Sequence, residues 1–597
     1  MREFTTPAVI EPPTTGSLSD PVWANASSHP DTAVFSRRVE GGGWLDITAA
    51  EFAQQVGAVA KGLIAAGVKH GDRVALLSAT RYEWTLIDYA IWSIGAATVP
   101  IYETSSASQI QWILTDSEAV VAIVENPAHG VVVESARAEA PALQEVWQIE
   151  SGAVDQLTVL GQQVSDAELD KRRTAVVPGD LATLIYTSGT TGRPKGCKLS
   201  HGNFMDELGT ATKMLPALFK LEGASTLLFL PLAHVFARII QVGCVLMRVK
   251  VAHTADVKNL VPDLGEFKPT FILSVPRVFE KVFNTASQTA HSAGRGKIFD
   301  AAAETAIAYS EAQDKGGAGF GLKARHALYD KLVYGKLRAV LGGRAEYAVS
   351  GGAPLGNRLG HFFRGIGVPV LEGYGLTETT AALAVNLPDD IRIGTVGKPL
   401  PGVTVGVADD GELLFKGGQV MLGYWKNDEA TAAAIDADGW FHTGDLGEFD
   451  ADGFIKITGR KKEILVTAGG KNVAPAVLED RIRLHPLVSQ CMVVGDGKPF
   501  IAALVTIDPE TIPAWADKHG KPNDMSVLVD DKDLIAEIQT AIDDANTAVS
   551  KAEGIKKFSI LQEDWTQENG ELSLKLSLRR HIVMKKHEAD VEALYQK

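Results

Sequence analysis

The sequence predicts an α/β fold with a large N-terminal part and a smaller C-terminal part. Three observations carry this. Up to about residue 400, apolar residues alternate between helical spacing and short continuous runs, the pattern of parallel sheets covered by helices. From about residue 400, short half-buried runs separated by Gly/Asp turns take over, and these predict a β subdomain. Beyond Arg460 helix and strand signals mix over a stretch long enough to be a domain of its own. The predicted division is residues 1–459, including the β subdomain at about 400–459, and residues 460–597.

Each element has a local reason. Phe52, Val56, Val59, Leu63 and Ala66 recur at helical spacing, and Gly67 ends that helix. Val74 to Leu77 reads as a buried strand after Gly71-Asp72, Trp84 to Ile94 as a helix, and Ala119 to Val124 as another strand. Leu181 to Tyr186 is a strand leading into a Gly/Thr-rich loop. Leu227 to Met247 is the most apolar stretch, and Pro231, His234, Arg238 and Gln241 interrupt it. A membrane span needs about twenty predominantly apolar residues, so this stretch is expected to be a buried helix. Pro276 to Leu341 is rich in Ala, Lys and Glu with a break at Gly316-Gly317, and predicts two or more helices packed on the outside. Glu412 to Gly417 and Gly453 to Thr458 are strands of the β subdomain. The C-terminal part should contain a helix near Pro475 to Leu484, strands at Val488 to Val494 and Ile501 to Ile507, a helix at Leu534 to Val549 and a last strand at Phe558 to Leu561.

Composition excludes several function classes. With 45% hydrophobic and 22% charged residues, the 597-residue chain is not disordered. A net charge of −15 argues against general nucleic-acid binding. Cys197, Cys244 and Cys491 lie far apart and form no CxxC pair, which fits a reducing, cytoplasmic setting without disulfides or a zinc site. The N-terminus has no apolar core of a secretory signal. Peripheral membrane contact is compatible with the sequence, and the oligomeric state is left open.

The chemistry concentrates in a few turns. Tyr186-Thr187-Ser188-Gly189-Thr190-Thr191-Gly192-Arg193-Pro194-Lys195-Gly196 packs hydroxyls, glycines and a lysine into one loop. Glycines let backbone N–H groups approach an anion, while hydroxyls and a lysine add donors and charge, so the loop suits a polyphosphate. It is not the usual NTPase loop, since no GxxxxGK[ST] occurs. Ser350-Gly351-Gly352-Ala353-Pro354 is a small-residue turn on which a flat ring can lie. Glu372-Gly373-Tyr374-Gly375-Leu376-Thr377-Glu378 joins an aromatic ring to a carboxylate, and Glu378 suits a hard cation such as Mg²⁺. Trp440 to Asp445 places a carboxylate at a tight turn where it can accept ribose hydroxyls, and Gly459-Arg460-Lys461-Lys462-Glu463 is a dense positive cluster. Taken singly, each also fits a capped turn or a solvated charge. Their order and combination separate the readings.

That combination resembles the adenylate-forming superfamily of acyl-CoA synthetases, luciferases and nonribosomal adenylation domains, from about residue 45 to the C-terminus. YTSGTTGRPKG, YGLTE and GWFHTGDLGEFDADGFIKITGRKKE carry the resemblance. Ser274 to Lys281, the helical insertion after it and LEGYGLTETT look like long-chain fatty-acid–CoA ligases. The resemblance implies that Thr187 to Lys195 hold the ATP β- and γ-phosphates. Gly351, Gly352 and Ala353 with Glu372, Gly373 and Tyr374 would frame adenine, and Thr377 would touch the α-phosphate. Glu378 and Thr190 would hold Mg²⁺, and Asp445 would bind the ribose with Arg460 near it. Lys462 falls at the family's hinge for a mobile C-terminal domain, and Gly469 and Gly470 would face the pantetheine path of coenzyme A. His234 would sit near the acyl carboxylate, although a His on an apolar run is by itself more often a core residue. The implied reaction is attack of a fatty carboxylate on the ATP α-phosphorus, then transfer of the acyl group to CoA.

One position departs from the family pattern. Long-chain members end in a segment like ELTP(T/S)LKxRR, whereas this chain reads Glu571-Leu572-Ser573-Leu574-Lys575-Leu576-Ser577-Leu578-Arg579-Arg580. Ser577 stands where the catalytic lysine is expected. Lys575 is assigned the role, because residues two apart in an extended segment share a face and lie roughly 7 Å apart. Two alternatives follow: a fatty acyl-AMP ligase that loads a carrier protein, and a low-turnover acyl-adenylate-binding protein.

Overall fold

The computed structural model describes residues 1–39, 41–187, 193–256, 259–573 and 578–596. Its N-terminal part includes two helix-covered sheets whose strand ends carry the candidate site, beside a four-stranded sheet of Ser225–Leu228, Lys250–His253, Ala33–Arg38 and Trp44–Thr48. The first has six strands, in the order Glu145–Gln148, Val121–Val124, Arg73–Leu77, Ala97–Ile101, Leu181–Thr187 and Lys195–Ser200. All neighbours are parallel except the last pair, which is an antiparallel hairpin. The second runs Phe271–Ser274, Tyr347–Ser350 and Val370–Tyr374 in parallel, then turns antiparallel through Ala384–Val385 and Lys398–Pro399. Catalytic loops of parallel sheets sit at the carboxyl ends of the strands. Here the carboxyl ends of Leu181–Thr187, Tyr347–Ser350 and Val370–Tyr374 lead into the three turns singled out in the sequence.

The first helix forms for the reasons its sequence gives. Thr48 caps Ala49–Ala65 in a reciprocal box with Glu51, and Phe52, Val56, Val59 and Leu63 are buried on one face. The apolar stretch 227–247 is a correction to the sequence reading. It is not one helix: strand Ser225–Leu228 ends there, a turn follows, and helix Val235–Met247 begins after it. Pro231 lacks the N–H that a continuous helix needs, and His234 caps the new start, its Nδ1 accepting from Phe236 N–H at 3.0 Å.

Arg238, which interrupts the same stretch, is fully buried on that helix. Its guanidinium donates to both oxygens of Asp88 at 2.9 and 2.5 Å and to Thr183 Oγ1 at 2.7 Å. Thr98 Oγ1 donates to Asp88 Oδ1 at 2.5 Å, and the guanidinium carbon lies 5.3 and 4.9 Å from the rings of Trp84 and Trp92. A buried charge is tolerated only when it is paired and hydrogen-bonded in this way. The network ties helices Tyr82–Ser93 and Val235–Met247 to the strand that leads into the Gly/Thr-rich loop.

The outer helices follow as expected: Pro276–Ser292, Gly296–Asp314 and Phe320–Tyr329, the last running on through a π-helical turn at Asp330–Tyr334 into Gly335–Val340. They close a second core around Phe279, Phe283, Phe299, Phe362 and Phe363. The β subdomain is a five-stranded antiparallel sheet of Arg2–Thr5, Thr404–Val407, Glu412–Lys416, Phe441–Phe449 and Ile455–Arg460. Its outermost strand is the polar start of the chain, which the sequence did not signal.

Beyond it, Val488–Val494, Ile501–Ile507 and Ile555–Leu561 form a separate sheet with its own core, flanked by Pro475–Ile482 and Lys532–Asn546. This part rests against helix Pro276–Ser292: Lys281 pairs with Glu510 at 2.9 Å, and Arg277 reaches Ser489 at 3.5 Å.

Candidate active site

The Gly/Thr-rich loop is the turn of the hairpin at the edge of the six-stranded sheet, with Thr187 opposite Lys195. Ser188, Gly189, Thr190, Thr191 and Gly192 lie outside the described residues, but both ends of the loop are anchored. Tyr186 Oη donates to Asp116 Oδ2 at 2.6 Å, and Trp112 Nε1 donates to Pro194 O at 2.8 Å. The Arg193 guanidinium carbon lies 4.6 Å from the Trp112 ring centroid. Asp116 and Trp112 sit on helix Ala107–Ser117, itself started by a capping box of Ser106 and Gln109.

Glu378 lies against this hairpin. Its Oε1 accepts from Tyr424 Oη at 2.9 Å and from Thr187 Oγ1 at 3.5 Å. Lys195 Nζ lies 4.7 Å from the Tyr424 ring centroid, so the tyrosine is wedged between the carboxylate and the ammonium. Burial, then the neighbouring Glu378 charge, push the Tyr424 phenol far above its ordinary range and keep it a donor. Backbone bonds fix the wedge: Trp425 N–H donates to Gly196 O at 2.7 Å and Met421 N–H to Glu378 O at 2.8 Å. Gly375 is required just before, since a Cβ there would meet Ala381 O at 1.4 Å.

A second cluster surrounds Asp445. Tyr374 Oη donates to Asp445 Oδ2 at 2.6 Å, and Arg460 Nε lies 3.3 Å from Asp445 Oδ1. Asp445 and Arg460 are directly opposed on paired strands. Burial raises the Asp445 carboxyl, Arg460 and the Tyr374 bond oppose that, and Glu378 raises it further. Tyr374 and Glu378 are four residues apart on one short turn, which joins the two clusters. The Asp445 turn needs Gly444 at φ +71°, where its N–H donates to Glu412 Oε1 at 2.8 Å. Glu372 accepts from Leu355 N–H at 3.0 Å, and burial pushes its carboxyl up to about 7. Gly351 lies against Phe236, two residues past His234. The helix start is held by Thr80, whose Oγ1 donates to Leu230 O at 2.8 Å and accepts from Leu232 N–H at 3.2 Å.

The structure thus brings together Thr187, Lys195 and Glu378, and beside them Gly351, Gly373, Tyr374, Asp445 and Arg460. Gly352 and Ala353 are exposed at the rim, and Thr377 is buried in the turn before Glu378. Lys462 is exposed in the single turn Lys461–Glu463. Gly469 and Gly470 lie in the turn of the hairpin Leu465–Val466 and Asn472–Val473, closed by Thr467, whose O accepts from Gly470 N–H at 2.8 Å. Lys575, with Ser577, lies outside the described residues. Among the described residues no group of three or more His, Cys, Asp and Glu gathers to hold a metal.

Sequence reasoning missed Tyr424, Trp112 and Glu412. The signal for Tyr424 was a Gly-Tyr-Trp triplet in an otherwise unremarked loop. Trp112 and Glu412 sit inside regular elements, where nothing in a single sequence marks them.

A family model described as AMP-binding enzyme matches residues 22–425, and one described as AMP-binding enzyme C-terminal domain matches residues 462–597. The chain belongs to the AMP-binding enzyme family. This AMP-binding enzyme is 53% identical to the long-chain-fatty-acid–CoA ligase FadD15 of Mycobacterium tuberculosis over 100% of both chains. It is 29% identical to the long-chain-fatty-acid–CoA ligase ACSBG2 of Xenopus laevis over 93% of this chain and 81% of that one. Its fold matches the AMP-bound A domain of carboxylic acid reductase from Segniliparus rugosus with a TM-score of 0.76 at 21% identity, over 97% of this chain and 94% of that one.

Proposed function

We propose that the chain activates a long-chain fatty acid with ATP to an acyl-adenylate and transfers the acyl group to CoA, releasing AMP and pyrophosphate. The observation that carries this is Glu378, held by Tyr424 and Thr187 near Lys195, on the same short turn as Tyr374, which donates to Asp445. The proposed phosphate-side and nucleoside-side groups are thus joined by one short turn, as a reaction at the α-phosphorus requires. The full-length likeness to long-chain-fatty-acid–CoA ligases supports the acyl chain and the acceptor.

In the first half-reaction the fatty carboxylate attacks the α-phosphorus and pyrophosphate leaves toward Lys195 and the loop. Asp445 exchanges its bonds to Tyr374 and Arg460 for ribose hydroxyls, and Tyr374 with the Gly351 turn frames the adenine. The protein's contribution is positioning and charge stabilisation. Glu378, an oxygen ligand already oriented by two hydroxyls, suits Mg²⁺, with Thr190 as the second ligand. Mg²⁺ there would neutralise phosphate charge. In the second half-reaction the CoA thiol attacks the acyl carbon and AMP leaves.

Residues 460–597 are proposed to turn about Lys462 between the two steps, bringing Gly469 and Gly470 to the pantetheine path. Lys575 is proposed to serve the adenylation step and His234 to lie near the acyl carboxylate. All three cysteines are buried and none is in a disulfide, in keeping with a reducing, cytoplasmic setting. No helix among the described residues is long and apolar enough to cross a membrane, and peripheral contact with one is proposed below.

The test is CoA ligation over saturated acids of increasing length, read as AMP and acyl-CoA. Turnover that rises with chain length and needs free CoA supports the proposal. Adenylate without thioester would transfer it to carrier loading. The Ser577 position favours one further reading, an acyl-adenylate-binding protein of low turnover. Pyrophosphate exchange driven by palmitate decides that, and an unchanged exchange rate in Lys575→Ala removes the lysine from its assigned role.

A further inference from the structure

The outermost helix of the insertion carries its polarity the wrong way round for a surface in water. On its inner face it is firmly docked. The His326 ring stacks on Tyr309 at 3.8 Å between centroids, His326 Nε2 meets Gly365 O at 2.6 Å, and Tyr334 Oη donates to Ala302 O at 2.7 Å. Its outer face therefore points to solvent, and that face is apolar. Phe320 is 89% exposed, Leu328 55% and Leu332 50%. Phe320, Ala324 and Leu328 follow at spacings of four, and the π-helical turn at Asp330–Tyr334 returns Leu332 to the same stripe. Single exposed apolar side chains are ordinary, but a continuous stripe marks an interaction surface.

The charges along the stripe are of one sign. Lys323, Lys331 and Lys336 are exposed along it, and none makes an ion pair among the described residues. Between Lys315 and Tyr329 the sequence contains no Asp or Glu, and the next acid, Asp330, is engaged by Arg338 at 2.7 Å. This is a local reversal in a chain of net charge −15. Self-association through the face would set lysine against lysine with no carboxylate between them, which argues against a second copy as the occupant. A helix with Phe and Leu on its free face and lysines beside them has the chemistry of an interfacial membrane helix.

We propose that the stripe Phe320–Leu332 lies on an anionic lipid bilayer and holds the protein at the surface into which long-chain fatty acids partition. The choice of surface rests in part on the fatty-acid reading above, but binding itself is read without turnover. Phe320, Leu328 and Leu332 enter the boundary between headgroups and acyl chains, while Lys323, Lys331 and Lys336 meet lipid phosphates.

The test is flotation of the full chain with vesicles of equal parts phosphatidylglycerol and phosphatidylcholine, or of phosphatidylcholine alone. The expected result is flotation with the anionic vesicles only, weakened by salt. It should be lost in Phe320→Glu/Leu328→Glu/Leu332→Glu and in Lys323→Glu/Lys331→Glu/Lys336→Glu, with melting temperatures unchanged. Each lysine removed is expected to weaken partitioning roughly fivefold. The proposal is overturned if the wild-type chain stays unbound, if it floats equally with neutral vesicles, or if either variant floats as the wild type does. It is also overturned if the apolar variant dissolves a concentration-dependent dimer while no flotation occurs, which would assign the face to a second copy. Lost fatty-acid turnover with vesicle binding intact counts against the fatty-acid reading and leaves the surface standing.

Discussion

Glu378 does its work through its neighbours as much as through its charge. Two hydroxyls orient it, and the ammonium of Lys195 lies 4.7 Å from the Tyr424 ring centroid. Glu378→Gln keeps the shape and removes the charge, so palmitate-driven pyrophosphate exchange should fall by about 10²–10³, the usual effect of losing one charge-stabilising group, with little change in melting temperature. Glu372 makes a different prediction. Its folded carboxyl titrates at about 7 because it is buried, above the ordinary 4.5. Where the folded value is the higher one, the stabilisation is complete below the unfolded value and is lost as pH rises through the folded one. Wild-type stability should therefore decline between about pH 4.5 and 7, by roughly 3 kcal/mol. Glu372→Gln, which keeps an acceptor for Leu355 N–H, should flatten that part of the curve. Equal declines in the two proteins, measured by urea unfolding across this range, would remove Glu372 as the cause.

Elements are held to the site by a small number of buried polar joints. Asp88 and Arg238 lock two helices to the strand of the Gly/Thr-rich loop, both charges out of water. Removing one partner alone, as in Asp88→Ala, should cost about 3–5 kcal/mol, whereas replacing both with apolar residues of similar volume should recover most of it. Denaturant titration of the two single variants and the double variant checks this. The same joint shows why parts of the fold were legible and one part was not. Helix Ala49–Ala65 and strands Val488–Val494 and Ile501–Ile507 are written in local periodicity and caps. The stretch 227–247 carries a strand end, a turn and a helix in one apolar run, and periodicity alone does not divide it. Arg238 reads there as an interruption, and only its partner, 150 residues away, explains it. The strand Arg2–Thr5 is short and polar, and its pairing with Thr404–Val407 is purely long-range.

At the scale of the whole molecule, the proposed reaction needs the C-terminal part to leave its present seat. That seat is a charged seam against helix Pro276–Ser292, with Lys281 and Glu510 in contact at 2.9 Å. Lys281→Cys with Glu510→Cys, joined by a short thiol cross-linker, should preserve one half-reaction and abolish the other. Pyrophosphate exchange and thioester formation from preformed acyl-adenylate, measured separately, distinguish the two. The candidate site was legible because its motifs are contiguous turns at strand ends, where a few residues carry the chemistry. Tyr424, Trp112 and Glu412 were not, because they act by long-range contact on residues the motifs name.

The central claim is that a fatty carboxylate takes the adenylyl group of ATP, and an oxygen label follows it directly. Palmitate carrying ¹⁸O in its carboxyl group is turned over with ATP and CoA, and the nucleotide product is analysed by mass. AMP should carry one ¹⁸O, because the carboxyl oxygen that attacks the α-phosphorus stays with AMP when the thiol takes the acyl group. Unlabelled AMP, or ADP with labelled inorganic phosphate, would contradict it.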